Sequence, residues 1–132
     1  MNNKILMKLS AVILGIVLLS GALINVNAQT SKVKFVKGDH KIDVMIGGKF
    51  FTSYQYPTNM EKPYLWPVNA PNGSVVTRGF PLTPRPKERI DHPHHIGIWF
   101  NHGDVNGLDF WNNSSAIPAE KKGTYGHIVV KE

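Results

Sequence analysis

The sequence predicts an all-β domain, an antiparallel β-sandwich, on three observations. From Ser31 onward the apolar residues alternate rather than recurring at helical spacing. Gly and Pro interrupt the chain too often for a long helix, and two alternating runs are joined by the pair Gly47-Gly48. That pair supplies the positive φ angles of a tight hairpin turn at no steric cost.

Taken in order, Val33 to Val36 reads as a first short strand. Lys41 to Ile46 and Lys49 to Tyr54 read as the two arms of the hairpin. Between Pro57 and Pro71 the chain is rich in prolines and aromatics, and the missing N–H groups restrict any strand there to a sheet edge or a short extended run. Asn72-Gly73 marks a turn, Ser74 to Thr77 another short strand, and Phe80 to Pro86 a loop. His94 to Phe100 alternates again, Val105-Asn106-Gly107 is a turn, and Tyr125 to Lys131 resembles a final strand.

The N-terminus has a different character. Lys4 and Lys8 precede 16 uncharged residues from Leu9 to Ile24, and Val26 and Ala28 stand where a signal peptidase reads small residues. Residues 1–28 are therefore expected to be a cleaved signal peptide, and the apolar run is shorter than the roughly 20 residues of a comfortable membrane span. Residues 29–132 form the expected β-rich domain, exported to the periplasm or the exterior. Removing 28 residues from 132 leaves 104, room for one small core and not two.

Charge and cysteine content narrow the function. The net charge of +6 falls to +4 when Lys4 and Lys8 leave, and the remaining lysines are scattered, which does not describe a nucleic-acid surface. There is no cysteine, which excludes disulfides, thiolate metal sites and a Cys nucleophile. No later apolar run approaches membrane-spanning length, so no membrane insertion is expected once the leader is removed.

One segment concentrates chemistry. Four of the six histidines, His92, His94, His95 and His102, fall within 11 residues, flanked by Asp91, Asp104 and Asp109. Imidazole titrates nearest neutral pH and is the commonest metal ligand, so the cluster suits acid–base work or a divalent metal. If the run is extended, His94, Ile96, Ile98, Phe100 and His102 face one side, core-like in its middle, and His95, Gly97, Trp99 and Asn101 face the other. The second face would floor a site for a flat polar ligand such as a sugar, the ring stacking on Trp99 while His95 and Asn101 hydrogen-bond.

The candidate catalytic groups are His94 or His95 as acid or base, with Asp91 orienting an imidazole. The candidate ligand-binding groups are Trp99, Asn101, His102 and Asp104, and the candidate metal ligands are His92 and His94. Pro93 between those two histidines distorts the strand, and no third ligand can be assigned. Bland alternatives stand beside each of these: hydrogen-bonded histidines at a loop end, and Trp99 and Trp111 as ordinary core aromatics. Asp104 to Asp109 lacks the bidentate Glu of a calcium loop and fits an Asx-stabilised turn. Asn113-Ser114-Ser115 fits a glycosylation sequon, and Arg78 and Arg85 suit a carboxylate or phosphate, although lone arginines beside a Pro-rich loop are usually solvated.

The ordered blocks Lys62-Pro63-Tyr64-Leu65-Trp66-Pro67-Val68, Gly73 to Pro81, Asp91-His92-Pro93-His94-His95 through Phe100, and Gly103 to Trp111 together resemble the family catalogued as "methane oxygenase PmoA". The likeness spans about half of the mature chain. It implies a secreted or periplasmic β-rich protein, typically longer than this one, so this chain is expected to be the N-terminal part of a larger sandwich. Where the family commonly has Arg beside the histidines, this sequence has Ile96. Methane oxidation itself would need several long apolar helices, which the chain lacks. Three functions follow as expectations: binding or modification of a carbohydrate-derived ligand, a non-catalytic structural or binding domain, and a His/Asp metalloenzyme.

Overall fold

A computed structural model describes residues 32–131. The expected signal peptide lies outside them, and no described helix is long and apolar enough to cross a membrane. The class is all-β. Strands β1 (Val33–Gly38), β2 (Lys41–Ile46), β3 (Lys49–Gln55) and β4 (Tyr64–Val68) form one antiparallel sheet in the order β1-β2-β3-β4. A short 3-10 helix, η1 (Ala119–Thr124), is the one helical element among the described residues.

The β2–β3 hairpin forms where its turn chemistry puts it, with Gly47 and Gly48 at φ 58° and 80°. His40 takes φ 48° in the turn that closes β1 onto β2. The β2–β3 register shifts between Val44 and Met45, the β3–β4 register between Thr52 and Tyr54, and such irregularities increase local twist. β4 contains Pro67 and is an outer strand of the sheet, the position that tolerates a residue without an N–H. The Trp66–Pro67 and Phe80–Pro81 peptide bonds are cis.

After β4 the described chain runs as turns tied to the sheet by single pairs, and three expected strands are corrected. Ser74 to Thr77 is no strand: it gives the isolated pair Val75–Asn69, a Val76 N–H bond to the Val68 carbonyl, an Ala70 N–H bond to the Ser74 carbonyl and a Val68 N–H bond to Thr77 Oγ1. His94 to Phe100 is not a strand. Its one ladder contact is the antiparallel pair Leu65–Ile98, with N···O distances of 2.8 and 3.1 Å, because φ of +52° at both His92 and Gly97 turns the chain out of the extended region. Tyr125 to Lys131 also forms no strand; Tyr125 makes a parallel pair with Asp109, and the Ile128 N–H reaches the Glu61 carbonyl.

Burial is concentrated where β4 meets this segment: Tyr64, Val68 and Ile96 are the buried apolar side chains. The register puts Val33, Phe35, Val44 and Ile46 on a common face, and Val33 and Phe35 remain 55% and 68% exposed. The loop from Gly79 to Glu88 is held from within. The Glu88 carboxylate accepts the backbone N–H groups of Gly79, Phe80 and Arg85 at 2.6, 3.1 and 3.0 Å. Arg78 and Arg85, expected in solvent, act as staples: one donates to the Arg89 and Asp91 carbonyls, the other to the Thr77 carbonyl.

Candidate functional site

The turn between His92 and His95, closed by a His95 N–H bond to the His92 carbonyl, gathers three imidazoles that a strand would have separated. His92 stacks on His95 at 5.0 Å between centroids, and His94 meets His95 edge-on at 4.3 Å. His94 is therefore beside His95, not on the opposite face as strand period required. The second turn, at Gly97, folds Trp99 back beneath His95: the rings stack at 5.1 Å and 30°. Trp111 closes the group, 5.5 Å from Trp99 and 6.2 Å from His95, and is 41% exposed. The expected pairing of His95 with Trp99 thus exists, produced by a left-handed turn instead of by strand alternation.

Gly97 is required twice over. A Cβ there would meet the Leu65 carbonyl oxygen and the Trp66 side chain, and φ of +52° is unfavourable for other residues.

Lys62 is the residue that the sequence reading missed. It is only 2% exposed, a rare condition for lysine, and backbone carbonyls and an indole face take up its ammonium. Nζ donates to the Trp111 carbonyl at 2.7 Å and the Phe110 carbonyl at 3.4 Å, and lies 5.7 Å from the centre of the Trp99 ring. Its partners are 48 and 49 residues away in sequence, so no local pattern signals them; the only hint is a Glu61-Lys62 pair at the edge of an apolar run. Glu61 is itself buried and pairs with Lys122 at 2.7 Å.

The charges set protonation. Burial, then the charges of His95, Lys62 and His92, push His94 down to about 4, with Asp109 opposing. His95 is lowered by burial and by His92, Arg78 and Lys62. Burial also pulls Lys62 down to about 8, against Glu61 and Asp109. His94 and His95 are consequently neutral at pH 7, and among the described residues their ring nitrogens have no hydrogen-bond partner. Each neutral ring offers one donor and one acceptor to a ligand.

Asp91 Oδ2 lies 3.2 Å from Nδ1 of His92, so the imidazole it meets is not that of either acid–base candidate, His94 or His95. Burial alone would raise the Asp91 carboxyl, but Arg89 at 2.7 Å, His92 and Arg78 bring it below its ordinary value.

The remaining predicted ligand groups form a separate turn. The Asn101 amide donates to the Phe110 carbonyl while its oxygen accepts the His102 N–H. His102 Nδ1 sits 2.9 Å from the Asp104 carbonyl oxygen, and Asp104 Oδ1 accepts the Gly107 N–H, the Asx-stabilised turn that the sequence implied. Asn113 of the sequon is buried and donates to the Gly126 carbonyl at 2.7 Å, so its amide is already used. The candidate ligands His92 and His94 lie 5.6 Å apart by ring centroid, and no group of three or more His, Cys, Asp or Glu among the described residues is placed to hold a metal.

Beside the cluster runs a groove of about 520 Å³ walled by Tyr54, Tyr64, Leu65, Ile98, Trp99 and Phe100. Trp99 belongs to both, so indole surface continues from the imidazoles into the groove. The protein is thus an all-β domain with a histidine–tryptophan cluster set in turns beside an outer strand. The chain belongs to the family of unknown function DUF6807, whose sequence profile matches residues 41–132. No curated protein and no solved structure matches it.

Proposed function

We propose that this is an exported domain that binds a carbohydrate-derived ligand at the cluster of His92, His94, His95, Trp99 and Trp111. One observation carries the reading. His95 packs against two indoles and His94 against His95, and both present neutral ring nitrogens that have no hydrogen-bond partner among the described residues. Sugars offer the matching chemistry: hydroxyls that donate and accept in one plane, and C–H faces that pack on aromatic rings. The resemblance to the PmoA family and the leader-like residues 1–28 support export. The apolar face of Val33 and Phe35 supports a second sheet lying across the first, as a sandwich requires.

Binding is favoured over acid–base catalysis. With His94 near 4, the imidazole is a weak base at neutral pH and functions better as a hydrogen-bond acceptor. Tryptophan fluorescence titrated with a panel of methyl glycosides and uronic acids tests the proposal. Saturable change with at least one member is expected, and no response across the panel would remove the carbohydrate reading.

A further inference from the structure

We propose that Lys62 is the positioning residue of the histidine–tryptophan site, its buried ammonium clamping the Trp111 segment against the Trp99 ring. The role rests on the reading of that cluster as a ligand site, but the clamp is observable without a ligand. The Trp111 backbone belongs to an irregular segment, and Asn101 and Lys62 together hold the Phe110 carbonyl. Lys62 adds a charged link between that segment and the Trp99 indole, through two carbonyl hydrogen bonds and a cation–π contact, beside the direct contact of the two rings. Those two rings wall His95.

An apolar side chain at position 62 would fill the volume and leave the Trp111 carbonyl without its donor, so the indoles would lose their mutual orientation before the sheet lost its strands. Arginine keeps the charge and the donors on a longer, planar head. Deprotonation leaves an amine that still donates N–H bonds but removes the charge that strengthens them and makes the cation–π contact, so it should loosen the clamp in the direction of the mutation. Around it stand Glu61, Asp109, His94 and His95, with His40 and His127 lining the small cavity that Lys62 also borders. Asp109, His94 and His95 are all held below their ordinary values, which leaves the lysine step near 8 separable from theirs.

The test is far-ultraviolet circular dichroism of the folded protein. Two indoles 5.5 Å apart and tilted by 59° give an exciton couplet, which W99F and W111F each abolish and thereby assign. The couplet is expected to vanish in K62M with the sheet signal intact, to persist in K62R, and to fade in the native protein with a midpoint near pH 8. A couplet that survives in K62M, or is absent from the native protein, overturns the proposal. Should K62M fail to fold, the native titration decides: a midpoint near 8 that K62R lacks supports the clamp, and a flat profile from pH 7 to 10 overturns it. Methyl glycoside titration of the same proteins separates the two readings. Loss of the couplet in K62M, with no glycoside bound even by the native protein, supports the clamp and overturns the carbohydrate reading instead.

Discussion

The His95 imidazole lies on the Trp99 indole, with centroids 5.1 Å apart and planes 30° from parallel, while the Trp111 ring stands at 88° to it. A ring so placed is fixed in orientation, and its nitrogens project from the edge of an aromatic stack. Preorganisation of this kind lowers the entropy lost when a ligand's hydroxyls are ordered.

The depressed His94 pKa makes a signed prediction. A histidine that resists protonation in the folded state binds fewer protons than the unfolded chain, so its contribution is complete above about 6.5 and is lost as pH falls from 6.5 towards 4. Thermal melts should fall across that window and fall less in H94Q. Proton NMR of the imidazole ring should show His94 still neutral at pH 5.

Glu88 carries a second, distinct acid dependence. The Gly79 and Arg85 N–H groups, followed by those of Phe80 and the Arg85 charge, hold its carboxyl below the ordinary value despite an opposing desolvation effect. That contribution is present above the unfolded carboxyl's range, near 4.5, and is lost as pH falls through the folded value. E88Q should flatten the stability profile below pH 4.5 and accelerate proteolysis of the Gly79 to Glu88 loop at neutral pH. Indifference of loop cleavage to E88Q would mean the three N–H bonds do not hold it.

The turn at Gly97 is predicted to be intolerant. G97A places a Cβ against the Leu65 carbonyl at a positive φ, a strain of roughly 1–3 kcal/mol, and breaks the Leu65–Ile98 pair. Urea denaturation should show a lower midpoint with an unchanged slope.

Asn113 and Asn112 make an internal comparison. The buried Asn113 amide serves the Gly126 carbonyl, whereas Asn112 is exposed and donates its N–H and side-chain amide to the Asp109 carboxylate. N113A should cost about 1–3 kcal/mol by leaving a buried carbonyl unpaired, and N112A markedly less. Equal effects would show that burial does not distinguish them.

What the sequence disclosed follows the range of the forces involved. The hairpin around Gly47-Gly48 and the Asp104 turn depend on neighbours within a few residues, and both were readable in place. Pro67 at the sheet edge was readable for the same reason. The segment from His94 to Phe100 misled because alternation describes a strand only if φ stays extended, and His92 and Gly97 depart from it. Ile98 and Phe100, read as core, are 52% and 93% exposed. Proximity in the chain pointed to the histidine segment, but strand alternation put His94 opposite His95 and Trp99, and Lys62 enters from across the fold.

The most direct measurement is glycoside binding by Trp99→Ala, followed by fluorescence of the remaining tryptophans and by calorimetry. Removing the ring on which His95 rests should weaken binding about tenfold or more while circular dichroism retains the sheet. Unchanged affinity in a folded Trp99→Ala protein would contradict the assignment of the ligand to this cluster.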